Sequence, residues 1–403
     1  GISALSVPFG GGKGAKQQWI EYEYHNLDRF EEIWLSLDND DVGREAAKEI
    51  ARRLGEHRCR LVELPHKDIN ECLMSGVNED DIWQCLGTAK FFDPDELCSA
   101  GDLLQETIDA FEHRDVGLFD SPWPSLNRNF KFRSGELTLV NGVNGHGKTE
   151  VVGHIAVDAM SQGVRTCIAS LELKPGKMLA RLTRQTICTA SPKREEIVMT
   201  NDWLSDRLWV FKLTGTAKAA RLLEIFAYAR RRYGIELFII DNLAKCGLDE
   251  EDYSGQKEFI DTLCDFKNEH NCHVLLVTHA RKTNDSAPTG KMDVKGTGAL
   301  TDMPDNVMAI WRNIPRELAI RKAEAVGYES LDKDEQAVVN LPASMIRLLK
   351  QREGEGWVGD IGMRFDSRSH QFLEGEKQPF NYLANKTQNE IDLEWEANNV
   401  TRV

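Results

Sequence analysis

No stretch of this 403-residue chain holds the roughly 18 consecutive apolar residues that a membrane-spanning helix needs. Helical membrane proteins are therefore excluded, and no membrane partner is expected. The opening residues GISALSVPFGGG lack the charged, apolar and small-residue order of a secretion signal and read as a short strand running into a glycine loop. Among nine cysteines there is no C-x-x-C pair. That speaks against a zinc site or a disulfide framework and predicts reduced, structural thiols in a cytoplasmic setting. Positive charge is scarce: 50 Lys and Arg face 65 Asp and Glu, for a net −15. A protein that coats nucleic acid with its whole surface is excluded, although local basic loops are not. Repeats and low-complexity blocks are missing too, which removes solenoids.

What is present is an ordinary globular composition, 41% hydrophobic and 29% charged, with length for two or three domains. The best seam runs from Phe91 to Asp115, where Pro94 and acidic neighbours break the preceding pattern. Beyond it Leu103, Leu104, Ile108 and Phe111 recur at helical spacing. Such a helix is either core or an arm packing on a neighbouring subunit, and the complete-looking flanks favour the arm. The expected division is a first domain over residues 1–90, a linker over 91–115 and a second domain over 116–403. In the first, EIWLSL and RLVEL read as strands around a helix from Gly43 to Gly55. In the second, GELTLVNG, RTCIASL, LFIID, HVLLVTH, NVMAIWR and MIRLLK read as strands, with helices from Lys148, over Ala219–Arg232 and over Gln256–His270. This alternation predicts α/β domains, the larger built on a mostly parallel sheet.

The strongest signal is G-x-x-x-x-G-K-T, with Gly142, Asn144, Gly145, His146, Gly147, Lys148 and Thr149 following a strand and opening an apolar-periodic helix. The glycines let backbone N–H groups turn toward phosphates at a helix N-terminus, and the lysine reaches the β- and γ-phosphates. Thr149 would hold Mg²⁺ through its hydroxyl. LFIIDN then delivers Asp241 to the carboxyl edge of a parallel sheet, as the carboxylate that stands behind that ion's direct ligands. Glu172, after CIASL, stands where a carboxylate could polarise water toward a γ-phosphate, and is read equally well as a capping acid. Thr278 and His279 end another buried strand. A lone histidine there is more often a satisfied polar residue than a sensor of phosphate.

The order of these elements, together with KGTGAL, resembles the RecA-like motor of superfamily 4 ring helicases. The likeness is to the DnaB and Twinkle group, and most of all to the primase-helicases of T-seven-like phages. It covers about Ser121 to Phe372. The resemblance implies that Glu172 is the catalytic base and His279 the γ-phosphate sensor. It implies that Arg352 of IRLLKQREG is an arginine finger offered to a neighbour's nucleotide, with Lys350 as its partner. Arg312 and Phe365 align with residues that sandwich the base, a phenyl ring standing where tyrosine is common. DNA contact is expected from Lys245, Arg281, Lys282, Lys291, Lys295 and Gly296, on loops tracking one strand's phosphates without reading sequence. Asp302 stands where the family commonly has glutamine.

LDNDDVG and KDINECL resemble the second half of a Toprim domain, with Asp38 and Asp40 as an Mg²⁺ pair and Asp68 and Glu71 as the accessory acids. An acidic loop with Asp41 capping the next helix is the plainer alternative. The family's upstream glutamate strand and zinc-binding region are missing, so the chain reads as a fragment of a longer primase-helicase from which priming is not expected. The resemblance implies a homo-hexamer or heptamer that uses ATP or another NTP or dNTP with Mg²⁺. It would move 5′ to 3′ on single-stranded DNA and unwind forked duplex in the cytoplasm of a bacterial host. A replicative polymerase is a further expected partner. A RecA-like recombinase that unwinds nothing is the rival reading.

Overall fold

The computed structural model describes residues 3–7, 18–93, 97–112, 116–212, 219–248, 252–281 and 287–384. The chain divides into two compact units, Gly1–Glu112 and His113–Val403. In the first, α1 (Trp19–Leu27) precedes β1 (Ile33–Leu35), α2 (Asp41–Leu54), β2 (Cys59–Leu61), α3 (Ile69–Met74), α4 (Glu79–Gly87), β3 (Lys90–Phe91) and α5 (Leu104–Glu112). Strand β1 pairs parallel with β2, and β3 pairs antiparallel on its other side. Helix α2 buries Ala46, Ala47, Ile50, Ala51 and Leu54, one stripe at helical spacing. Both strands are shorter than the sequence pattern suggests, and residues 3–7 form no strand. Helix α5 presents Leu104, Ile108 and Phe111 exposed, as is Leu103 just before it, and has no buried residue of its own.

The second unit holds α6 (Pro124–Asn127), β4 (Leu137–Asn141), α7 (Lys148–Ser161), β5 (Thr166–Ser170), α8 (Pro175–Ile187), α9 (Arg194–Ser205) and β6 (Leu208–Val210). These are followed by α10 (Ala219–Tyr233), β7 (Leu237–Asp241), α11 (Tyr253–His270), β8 (His273–Val277), α12 (Ala299–Asp302) and β9 (Asn306–Arg312). Then come α13 (Ile314–Val326), α14 (Lys333–Val339), β10 (Ser344–Gln351), β11 (Gly359–Asp366) and β12 (Gln371–Glu374). One sheet runs in the order β12-β11-β10-β9-β4-β8-β7-β5-β6. Its six strands from β9 to β6 are parallel, and β10 to β12 extend it antiparallel.

Every residue of β4, β5, β7 and β8 is buried, as a sheet covered on both faces requires. Val140, Ile239, Leu275 and Val277 meet α7 on one face, while Leu139, Phe238, Ile240 and Leu276 meet α10 and α11 on the other. The order β4-β8-β7-β5 brings the loops after those four strands side by side at one sheet edge.

Candidate functional site

The phosphate-type loop spans Gly142 to Gly147 between β4 and α7. Gly147 has φ 91°, and a Cβ there would lie 2.7 Å from Phe372 Cζ. Only glycine fits that turn without strain. Lys148 is buried, and its Nζ donates to the carbonyl oxygens of Gly142 (2.7 Å) and Val143 (3.1 Å). Burial pulls the Lys148 ammonium down to about 8, while the nearby Asp241 and Glu172 carboxylates pull the other way. The Thr149 hydroxyl donates to Asp241 Oδ2 at 2.8 Å. Burial pushes the Asp241 carboxyl up despite that bond. A hydroxyl and a buried carboxylate are oxygen groups that would suit Mg²⁺. No group of three or more His, Cys, Asp or Glu able to hold a metal exists among the described residues.

Beside this pair lies a cluster that joins three strand ends. Asn242, the residue after Asp241, donates through Nδ2 to Glu172 Oε1 (2.6 Å) and to His279 Nε2 (2.8 Å). Burial, together with Lys148, holds the pKa of the His279 ring down. Strands β5 and β8 end at Ser170 and Val277, so Glu172 and His279 lie two residues past their strands, where side chains can turn into the cleft. An open cleft is lined by Lys148, Thr149, Glu172, Asp241, Asn242 and His279. Asn242 stands in the LFIIDN motif, yet sequence reasoning assigned it no role. Arg181 of α8, which lines the cavity and pairs with Glu150 at 2.9 Å, was missed as well. Nothing local marks either residue except, for Asn242, its place directly after Asp241.

A second cavity shares Gly145, Gly147 and Glu150 with the first and adds His146, Arg312, Phe365 and Phe372. The Arg312 backbone N–H donates to His146 Nδ1 at 3.3 Å. Phe365 is half-exposed and stands 5.2 Å from the Phe372 ring. The two cavities therefore adjoin along the loop as one continuous cleft.

Lys350 and Arg352 are not brought to it. Strand β9 runs parallel to β4, and β10 returns antiparallel, pairing Ser344 with Arg312 and Gln351 with Asn306. The two basic residues thus sit at the opposite end of β9, roughly 20 Å from their own cleft. There Lys350 Nζ donates to the carbonyls of Asp302 and Pro304, each at 2.6 Å. Arg352 pairs with Asp305 at 3.0 Å, and Asp305 pairs in turn with buried Lys267 at 3.0 Å.

Of the basic loop residues, Lys245 is exposed in a short turn after Asp241. Arg281 donates to the carbonyls of Val294 and Gly296, and the Lys295 N–H donates to His279 O. Arg281, Lys295 and Gly296 therefore form one strap against the His279 strand end. Lys291 faces Asp302 at 3.6 Å. Lys282 lies outside the described residues, as do Pro94, the glycine loop and the tail beyond residue 384.

In the first unit the expected acids act locally. Asp40, not Asp41, caps α2 by accepting from the Gly43 N–H at 2.8 Å, and that bond, with Lys67 opposite, lowers its pKa. Asp68 caps α3 by accepting from the Glu71 N–H at 2.7 Å. Asp38 lines a shallow surface crevice with Asn39 and Arg44.

Residues 107–285 match the model of an AAA domain, and residues 4–73 that of a Toprim-like domain. The chain is 26% identical over 335 residues to a DNA helicase/primase of Enterobacteria phage T3, covering 76% of this chain and 58% of that protein. It is also 26% identical over 325 residues to the chloroplastic/mitochondrial Twinkle homolog protein of Arabidopsis thaliana, covering 71% and 44%. It thus spans about half the length of the curated relatives it matches. Among solved structures, an isolated ATPase domain superposes with TM-score 0.54 at 17% identity, covering 70% of this chain and 100% of that one. A DnaB-like replicative helicase, solved for its interactions with primase, superposes with TM-score 0.52 at 16% identity, covering 83% and 79%. No helix among the described residues is long and apolar enough to cross a membrane.

Proposed function

From a chain that is DnaB/Twinkle-like in its P-loop unit and Toprim-like in its N-terminal region, we propose an NTP-driven replicative DNA helicase, the motor part of a primase-helicase. The observation that carries this is the convergence of Lys148, Thr149, Asp241, Glu172, Asn242 and His279 in one cleft, with Arg352 at the sheet's far end. Nucleotide phosphates lie along the loop, where Lys148 leaves the Gly142 and Val143 carbonyls to meet the β- and γ-oxygens. Thr149 and Asp241 would hold Mg²⁺, which when bound would offset part of the phosphate charge. Glu172 accepts a proton from water as it attacks the γ-phosphorus, and the diphosphate leaves on the opposite side. Asn242 keeps Glu172 and His279 in register, so that loss of the γ-phosphate is felt at His279. The strap carrying Arg281, Lys295 and Gly296 begins one residue later.

Among the described residues lining the phosphate end, the one arginine is Arg181, already paired with Glu150. That supports completion of the cleft by a neighbouring subunit. Arg352 and Lys350 are that neighbour's contribution, in a hexameric or heptameric ring with nucleotide at each boundary. The exposed apolar face of α5 packs on the adjacent subunit. Lys245, Arg281, Lys282, Lys291, Lys295 and Gly296 face the single strand, along which the ring moves 5′ to 3′. Arg312 and Phe365 hold the base of ATP or another NTP or dNTP. Asp38 and Asp40 are the Toprim-type acids, and the setting is the cytoplasm of a bacterial host, with a replicative polymerase as partner. Strand displacement on forked DNA tests this reading. NTP hydrolysis stimulated by single-stranded DNA with no displacement would favour a recombinase-like ATPase.

A further inference from the structure

Strands β9 and β10 are antiparallel neighbours that a tight turn would join. Instead residues 313–343 build a helical hairpin, α13 and α14, whose feet are tied to the sheet. Asn313 caps α13 by accepting from the Arg316 N–H at 3.0 Å and donates through Nδ2 to Pro342 O at 3.1 Å. Lys322 to Glu335 (2.7 Å) and Arg316 Nε to Val339 O (3.0 Å) lock the two helices together.

This places Glu317 in the first turn of α13, on the wall of the cavity that Arg312 and Phe365 also line. Its carboxylate accepts from Arg312 Nε at 2.6 Å and from Arg312 Nη2 at 2.8 Å. A two-point fork of that kind fixes the plane of a guanidinium, not merely its position. Arg312 would otherwise be the exposed last residue of β9, free to sample many rotamers. The same contact holds the Glu317 carboxyl below its ordinary range, so the fork stays charged at neutral pH.

We propose that Glu317 is a positioning residue for the nucleobase, holding the Arg312 guanidinium as a pre-set flat wall of the base pocket. The inserted hairpin is then a part of nucleotide recognition. This rests on the reading of the second cavity as the base end of the nucleotide cleft. A base stacked against a guanidinium already fixed in plane binds without first ordering that side chain.

The test is steady-state hydrolysis by the full chain with single-stranded DNA, comparing the four NTPs with ribose 5-triphosphate, which has no base. Glu317→Ala should raise KM for NTPs about five- to twentyfold. It should leave kcat nearly unchanged and shift KM for ribose 5-triphosphate less than twofold. Glu317→Gln, which keeps the volume and loses the charge, should fall between parent and Glu317→Ala. The double variant with Arg312→Ala should be no worse than Arg312→Ala alone. A parental KM for NTPs in Glu317→Ala, or equal rises for both substrates, overturns the proposal while leaving the base pocket standing. If Arg312→Ala and Phe365→Ala themselves keep the parental preference for NTP over ribose 5-triphosphate, the base-pocket reading fails and the proposal with it.

Discussion

Asn242 donates to Glu172 at 2.6 Å, joining two residues 70 positions apart in the chain. The same amide reaches His279 at 2.8 Å, so one side chain orients both the proposed base and the proposed sensor. Asn242→Ala should therefore lower DNA-stimulated hydrolysis at least about tenfold, part of what a general base contributes. Nucleotide affinity, measured by fluorescent NTP binding, should change little. An affinity loss as large as the rate loss would assign Asn242 to binding instead.

Thr149 and Asp241 share a bond of 2.8 Å at the foot of the loop. Asp241→Asn keeps the size and removes the charge that a divalent cation needs. The variant should need a several-fold higher Mg²⁺ concentration for half-maximal nucleotide binding, read by titrating Mg²⁺ at fixed NTP. An unchanged Mg²⁺ midpoint would remove Asp241 from the metal site.

Arg352 lies roughly 20 Å from the cleft of its own chain, by strand geometry, where Asp305 holds it at 3.0 Å. Arg352→Ala should keep NTP binding and lose DNA-stimulated hydrolysis. Mixed with Glu172→Gln subunits it should regain part of that activity, because a Glu172→Gln neighbour still supplies its arginine to a cleft with an intact base. Mixtures as inactive as either variant alone would argue against action across a subunit boundary.

The apolar residues of α5 are exposed, Phe111 most of all at 76%. Replacing Ile108 and Phe111 by serine should shift the protein toward smaller species in light scattering, with nucleotide binding retained. An unchanged mass would free α5 of an assembly role.

Glu136 lies buried at the start of β4, with Asn306 donating to it at 2.8 Å and Arg133 and Asp305 nearby. Burial pushes its carboxyl up to about 7 from 4.5. Below the lower value both folded and unfolded chains carry the proton. Above the higher one the folded chain must ionise a buried group, so this stabilisation is present at low pH and lost as pH rises through about 7. The contribution is on the order of 1–3 kcal/mol. Urea unfolding at pH 5.5 and 8.5 should show a larger fall with pH in the parent than in Glu136→Gln. His154 and His273, held neutral by burial with values near 3 and 4, act oppositely in both proteins and cancel in that comparison. Parallel profiles would contradict the assignment.

The phosphate loop and Asp241 were legible because each is a short local pattern on a buried strand. The mostly parallel sheet followed from the strand–helix alternation, while β11 and β12, which line the second cavity with Arg364, Phe365 and Phe372, went unread. Convergence of Glu172, Asn242 and His279 depends on the strand order β4-β8-β7-β5, which no local spacing encodes. Arg181 and Glu150 escaped for the same reason. Asp40 and Asp68 show the reverse difficulty, since an acid that caps a helix and an acid poised for metal look alike in sequence. The stretch from Asn313 to Ser344 carried no assigned role, because its meaning lies in the Arg312–Glu317 fork.

Whether this chain drives strand separation is decided by strand displacement on a forked duplex with NTP and Mg²⁺, comparing the parent with Glu172→Gln. The parent should displace the strand when a 5′ tail is present, and the variant should bind nucleotide and DNA without displacing it. Displacement by Glu172→Gln at the parental rate, or hydrolysis by the parent that never separates strands, would contradict the helicase reading.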